Sequence, residues 1–118
     1  NLEPLRGRLD ASLFERMCLD ATFINTGRGA QVLEADLIRV LQQRPDITAL
    51  LDVTFPEPPE EGSPFYSLPN VRLSTHIAGS MGDEVVRMAD YVLDEFQRWE
   101  NGDRLRWEVT AELLQTMA

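Results

Sequence analysis

Arg28, Glu57 and His76 are the residues in this sequence whose types could together bind an anion and move a proton. Arg28 stands between Gly27 and Gly29, just after the compact, partly β-branched run Ala21-Thr22-Phe23-Ile24-Asn25. A guanidinium presents a rigid fork of donors that matches a carboxylate. An arginine flanked by glycines just past a strand end sits in a loop held to close tolerances. His76 is the single histidine. Imidazole titrates nearest to neutral pH, so one group can both give and accept a proton. Glu57 lies among Pro56, Pro58 and Pro59, in a stretch that also carries Glu60 and Glu61. Asp52, Glu57 and His76 could be read instead as metal ligands. A closed metal site normally takes three or four protein ligands at defined spacing, and the sequence has no second histidine, so no metal site is expected.

These residues need a scaffold that gathers distant segments. Asp10 is a plausible cap for a short helix from Ala11 to Met17, with Leu13, Phe14 and Met17 at helical spacing. Ala21 to Asn25 reads as a buried strand. A second helix runs from Glu34 to Gln43, with Leu33, Leu37, Val40 and Leu41 on one face, Glu34 and Asp36 near its positive end, and Pro45 to stop it. Ile47 to Val53 lacks the polar alternation of an exposed strand and reads as a central parallel one. Pro56 to Gly62 is an irregular loop, and Val71 to Thr75 a third strand that ends at His76. The longest helix spans Met81 to Glu100, with Val85, Met88, Val92, Phe96 and Trp99 along one face and Asn101-Gly102 as its C-cap. Helices alternating with strands imply an open parallel α/β sheet. Such sheets bind ligands at the carboxyl ends of their strands. The strand ends lead here to Asn25, Thr26 and Arg28, to Asp52 and Glu57, and to Thr75 and His76.

Composition narrows the classes of function. The chain has 118 residues, 43% hydrophobic and 26% charged, which is ordinary for a globular protein. Eleven basic residues against twenty acidic ones give a net charge of −9, and every strong base is Arg. An acidic chain with scattered arginines has no footprint for nucleic acid or anionic lipid. Without Lys there is no Schiff-base or P-loop lysine. Cys18 is the single cysteine, so no internal disulfide can form, and a reducing, cytoplasmic setting fits. No apolar run approaches the roughly 20 residues of a membrane span, and the first residues do not read as a signal peptide.

Four segments in order resemble one family. Phe23-Ile24-Asn25-Thr26-Gly27-Arg28-Gly29, Leu51-Asp52-Val53-Thr54-Phe55-Pro56-Glu57-Pro58, Leu68-Pro69-Asn70-Val71 and Thr75-His76-Ile77-Ala78-Gly79 are similar to the motifs of the D-isomer-specific 2-hydroxyacid dehydrogenases. The likeness runs from Asn1 to about Glu100. It implies part of a Rossmann-like parallel sheet flanked by helices, with a long C-terminal crossing helix. Residues 1–87 would be the C-terminal half of a dinucleotide-binding domain. Residues 88–118 would be the crossing helix and a tail returning to the substrate domain. The glycine-rich phosphate fingerprint lies upstream in that family, so the segment alone is not expected to turn over.

The resemblance also implies roles. Arg28 would bind the carboxylate of a 2-oxo or 2-hydroxy acid, His76 would be the general acid/base, and Glu57 would bond its other ring nitrogen and fix its tautomer. Thr26, Gly27, Arg28, Asp52, His76 and Gly79 would face NAD or NADP. The substrate would be a small 2-oxo or 2-hydroxy acid, and the protein a homodimer through its nucleotide-binding domain. Phe14 and Met17, or Phe65 and Tyr66, would be the contact patch or else core. Some positions depart from the family pattern, among them Gly27 for Ala and Thr75 for Pro. The alternative is a non-catalytic, nucleotide-binding, corepressor-like relative. A structural or interaction module is the fallback.

Overall fold

Thr22–Asn25 forms β1, Thr48–Leu51 forms β2 and Val71–Leu73 forms β3, and the three lie in one parallel sheet in that order. The structure is a computed structural model and describes residues 3–117. Asn25 pairs with Leu51 and Leu51 with Leu73, so the strands finish at the same level. That level is the edge at which the candidate residues emerge.

All three strands are shorter than the sequence suggests, β1 by Ala21 alone. Ile47 and Val53 are buried but lie outside β2, and β3 stops before Ser74. The chain turns out of the sheet at Asp52 once that residue has donated its N–H to the Asn25 carbonyl at 2.9 Å. The strands are also buried on one face only. Ala49 and Leu51 point into the core, whereas Ile24 is mostly exposed. A parallel sheet is normally covered on both faces, and the helix of this region covers one.

That helix is α2, Glu34–Gln43, with the bounds the periodicity predicts. Leu37, Val40 and Leu41 pack with Ile47, Ala49, Leu51 and Val71 in the core. Leu33 is an exposed N-cap residue, not part of the buried face. Asn70, just before β3, donates to the carbonyls of Leu41 at 3.0 Å and Ile47 at 2.8 Å. It therefore satisfies a carbonyl that the end of α2 leaves unpaired. The first helix, α1, spans Ala11–Phe14 and unwinds through turns to Met17. Asp10 is its N-cap, accepting from Ser12 N at 2.9 Å. Phe14 and Phe65 are 3% and 2% exposed. They are core residues and cannot form a contact patch; of the two patches only Met17 and Tyr66 reach the surface.

The chain divides into two compact units between Gly79 and Ser80. The second holds α3, Asp83–Asn101, and a short α4, Ala111–Leu114. Gly102 closes α3 in the left-handed region, φ 73°, and donates its N–H to the Arg98 and Trp99 carbonyls. The tail before α4 contains no strand, despite the alternation of Leu105, Trp107 and Val109. Val85, Met88, Val92, Phe96 and Trp99 on the apolar face of α3 are all exposed. Among the described residues, no helix is long and apolar enough to cross a membrane.

Candidate active site

Asp52 follows directly on β2 and is 5% exposed. A buried carboxylate needs partners, and three donors from one short segment supply them. Its Oδ1 accepts from Ser74 Oγ at 2.5 Å and from Ile77 N at 2.9 Å, and its Oδ2 accepts from Ala78 N at 2.9 Å. The Ser74 hydroxyl first, then the Ala78 and Ile77 amides and the nearby His76, hold this carboxyl below the usual Asp range. The donors bracket His76. His76 itself has φ 58°, a left-handed conformation that costs energy in a non-glycine residue. The grip of Asp52 on both sides of the turn keeps it there.

The imidazole is also held from the other side. His76 Nδ1 lies 2.6 Å from Glu57 Oε1, across 19 positions of sequence. An ionised carboxylate only accepts, so the proton of this contact sits on Nδ1. Nε2 is left as the nitrogen that can exchange a proton with a ligand, and among the described residues it has no hydrogen-bond partner. Glu57 rides on the proline-rich loop, which is pinned at several points. Phe55 N donates to Glu34 Oε1 at 2.7 Å, Thr54 Oγ1 to the Pro56 carbonyl at 2.8 Å, and the Tyr66 hydroxyl to the Pro59 carbonyl at 3.0 Å. Burial pushes the Glu34 carboxyl up, against the pull of the Phe55 amide, and Glu60 adds to the rise. Asp52, Glu57, Pro58, Tyr66, Ser74 and His76 line a cleft of about 440 Å³.

Arg28 stands at the same sheet edge, past the end of β1. Asn25 shapes the approach: its Oδ1 accepts from Gly27 N at 3.1 Å and its Nδ2 donates to the Arg28 carbonyl at 3.4 Å. Gly29 then passes so close to Thr54 that a Cβ would lie 2.0 Å from the Thr54 carbonyl oxygen. The Arg28 loop and the Glu57 loop are thus locked together through glycine. The Arg28 side chain is exposed, donates to the Gly27 carbonyl at 2.9 Å, and has no carboxylate partner among the described residues. No hydrogen bond joins it to Glu57 or His76, and it does not line the cleft beside them.

The residues expected at a cofactor divide likewise. Thr26 and Asp52 share a second cleft, of about 240 Å³, with Leu50, Arg72, Ser74 and Ala78. Three acceptor positions of the Asp52 carboxylate are used inside the chain, which leaves about one for a donor from outside. Nothing lies within 4 Å of where a Cβ would stand on Gly79, so that position is open to a planar ring. The free acceptor position of Asp52 and the open space at Gly79 fit a carboxamide-bearing ring. No group of three or more potential metal ligands occurs among the described residues.

Ser74 carries no signal in the sequence, and Glu34 and Asn70 stand out there only as a helix start and as part of a family-like motif, yet each fixes a part of the site or of its supports. A serine before a histidine, or a glutamate at a helix start, has no periodicity to betray its partner.

An open parallel sheet with polar side chains gathered at the carboxyl ends of its strands is a ligand-binding architecture of α/β proteins. The family model for the NAD binding domain of D-isomer specific 2-hydroxyacid dehydrogenases matches residues 3–78, and the chain belongs to that family. It is 38% identical over 96 residues to glyoxylate/hydroxypyruvate reductase A of Yersinia enterocolitica, covering 81% of this chain and 30% of the relative. A D-isomer specific 2-hydroxyacid dehydrogenase of Xanthobacter autotrophicus Py2, solved with NADPH and MES, is 31% identical with a TM-score of 0.77, covering 93% of this chain and 45% of that one. The NADPH-dependent glyoxylate/hydroxypyruvate reductase of Sinorhizobium meliloti, solved with NADP and sulfate, is 32% identical with a TM-score of 0.75, covering 90% and 34%. The chain spans less than a third of the length of the curated relatives it matches.

Proposed function

We propose that these residues form the nicotinamide side and the acid–base group of an NAD(P)-dependent dehydrogenase that interconverts a 2-oxo acid and a D-2-hydroxy acid. The observation that carries this reading is the 2.6 Å contact between His76 Nδ1 and Glu57, made beside a cleft at the ends of parallel strands. Residues 1–87 belong in this reading to the dinucleotide-binding domain, and residues 88–118 to the helix and tail that return toward the substrate domain. The full protein is read as a homodimer through that nucleotide-binding domain.

A bound nicotinamide would supply or accept the hydride at the substrate carbon. His76 Nε2 gives its proton to the carbonyl oxygen in reduction and takes the hydroxyl proton in oxidation. Glu57 holds the ring by Nδ1 and stabilises the imidazolium. Arg28 pairs with the substrate carboxylate through its fork of donors and favours the charge that builds on the carbonyl oxygen. Thr26, Gly27 and the remaining acceptor position of Asp52 receive the carboxamide edge, and Gly79 leaves room for the ring. The relatives named as glyoxylate/hydroxypyruvate reductases make those two acids the first to try.

The test is oxidation of NADH and NADPH, followed by absorbance, with glyoxylate, hydroxypyruvate and other 2-oxo acids. It is run on the 118-residue chain, where no turnover is expected, and on the same chain joined to the nucleotide- and substrate-binding segments of a family relative. Turnover is expected in the joined form, with kcat lowered about 10²- to 10⁴-fold by His76→Gln. Arg28→Gln should raise KM for the acid and lower kcat/KM at least about 10-fold. A folded, cofactor-binding protein that reduces none of the acids overturns the proposal in favour of a non-catalytic relative.

A further inference from the structure

We propose that Ser74 is a positioning residue for His76, acting through Asp52. The proposal rests on the acid–base reading of His76 and extends it to a residue with no part in that chemistry. Among the described residues, Ser74 is the only side chain that donates to Asp52; the other donors are backbone amides, Ile77 N and Ala78 N. It lies two residues before His76, and the amides lie one and two residues after it. The carboxylate is therefore gripped on both flanks of the turn that holds His76 at φ 58°. Asp52 is itself fixed to the sheet through its own N–H on the Asn25 carbonyl, 2.9 Å. Ser74 N donates to the Leu51 carbonyl at 3.0 Å, so the hydroxyl springs from a backbone already in register with β2. The side on which His76 meets Glu57 is thus set by a hydroxyl and a carboxylate that hydrogen-bond to neither the imidazole nor Glu57.

Removing the hydroxyl frees one oxygen of a buried carboxylate and releases the upstream flank of the turn. The imidazole then loses its fixed direction, while the residues expected to bind substrate stay in place. The consequence belongs to kcat more than to KM, since misplacing a reacting group costs rate.

The experiment uses the assayed form described above, with Ser74→Ala, Ser74→Thr and Asp52→Asn. The His76 ring signals are read by NMR and assigned as those lost in His76→Gln. Ser74→Ala is expected to move or broaden these signals and to lower kcat about 10-fold, with KM for the acid changed less than about 2-fold. Ser74→Thr keeps the hydroxyl and should retain both properties. If Ser74→Ala leaves the ring signals and kcat unchanged, or if threonine fails to retain what alanine loses, the proposal is overturned. Should Ser74→Ala fold poorly, the His76 ring signals in Asp52→Asn carry the positioning reading, and kcat is not used there because Asp52 also faces the cofactor in the proposed function. The ring signals decide the positioning even if His76→Gln leaves turnover intact, an outcome that would sink the acid–base reading instead.

Discussion

A methyl group on Gly29 would overlap the Thr54 backbone, with a Cβ 2.0 Å from its carbonyl oxygen and 2.6 Å from its Cα. Neither atom is the end of a flexible side chain, so the strand-end loops themselves would have to part. Gly29→Ala should cost stability toward the upper end of the roughly 1–3 kcal/mol of an overpacked site. It should also loosen the contact of Glu57 with His76, and so lower the kcat of the proposed reaction, because Thr54 leads into the loop that carries Glu57. Thermal melting and kcat, measured on the same variant, test both; an unchanged melting temperature would refute the close approach. Arg28, one residue earlier, presents the opposite case. It is exposed and makes no ion pair among the described residues, so its loss should change activity with little effect on melting.

At the scale of elements, the end of α2 is hydrogen-bonded to the start of β3 through one side chain. Asn70 donates to the Leu41 and Ile47 carbonyls and so closes the end of α2 against the start of β3. Asn70→Ala leaves those carbonyls short of a donor and should lower stability by about 1–3 kcal/mol in chemical unfolding; Asn70→Asp should be no better, since a carboxylate cannot donate. The sequence was legible where a pattern repeats within one element. The 3.6-residue rhythm with Pro45 places α2, and Gly102 marks the end of α3. It was less legible where an element ends for reasons outside itself. The apolar run from Ile47 to Val53 looks like one strand, but Asp52 leaves the sheet to reach Ser74, Ile77 and Ala78. The pairing of His76 with Glu57 was expected from the family likeness. The Ser74–Asp52 and Glu34–Phe55 contacts join residues more than 20 positions apart, and nothing local announces them.

For the molecule as a whole, two carboxyls bend the dependence of stability on pH in opposite directions. Asp52 is held below the ordinary Asp value of about 3.9 by Ser74 and the Ala78 and Ile77 amides. An acid with a depressed value contributes stability that is present above its unfolded value and lost as pH falls through the folded one. Asp52→Asn should therefore melt lower than the parent at pH 7, and the gap should close in strong acid. Glu34 is raised, first by burial. Its unfolded carboxyl ionises first, so stability falls as pH rises from the ordinary Glu value, about 4.3, through the higher folded one. Glu34→Gln keeps an acceptor for the Phe55 amide and should melt at or above the parent at pH 7, with the gain vanishing in acid. Melting curves across pH would show both, and a pH-independent difference for either variant would contradict its assignment.

Parallel strands cannot be joined by tight turns, and this has a consequence for how the molecule comes into being. The hydrogen bonds that fix His76 and its turn span 19 to 26 residues. Closing such loops costs chain entropy before any contact repays it. No hairpin or single helix can serve as a local precursor, so the strands must come into register before Glu57 and His76 can meet. A chain caught halfway through folding holds no weaker version of the site, only its separate pieces.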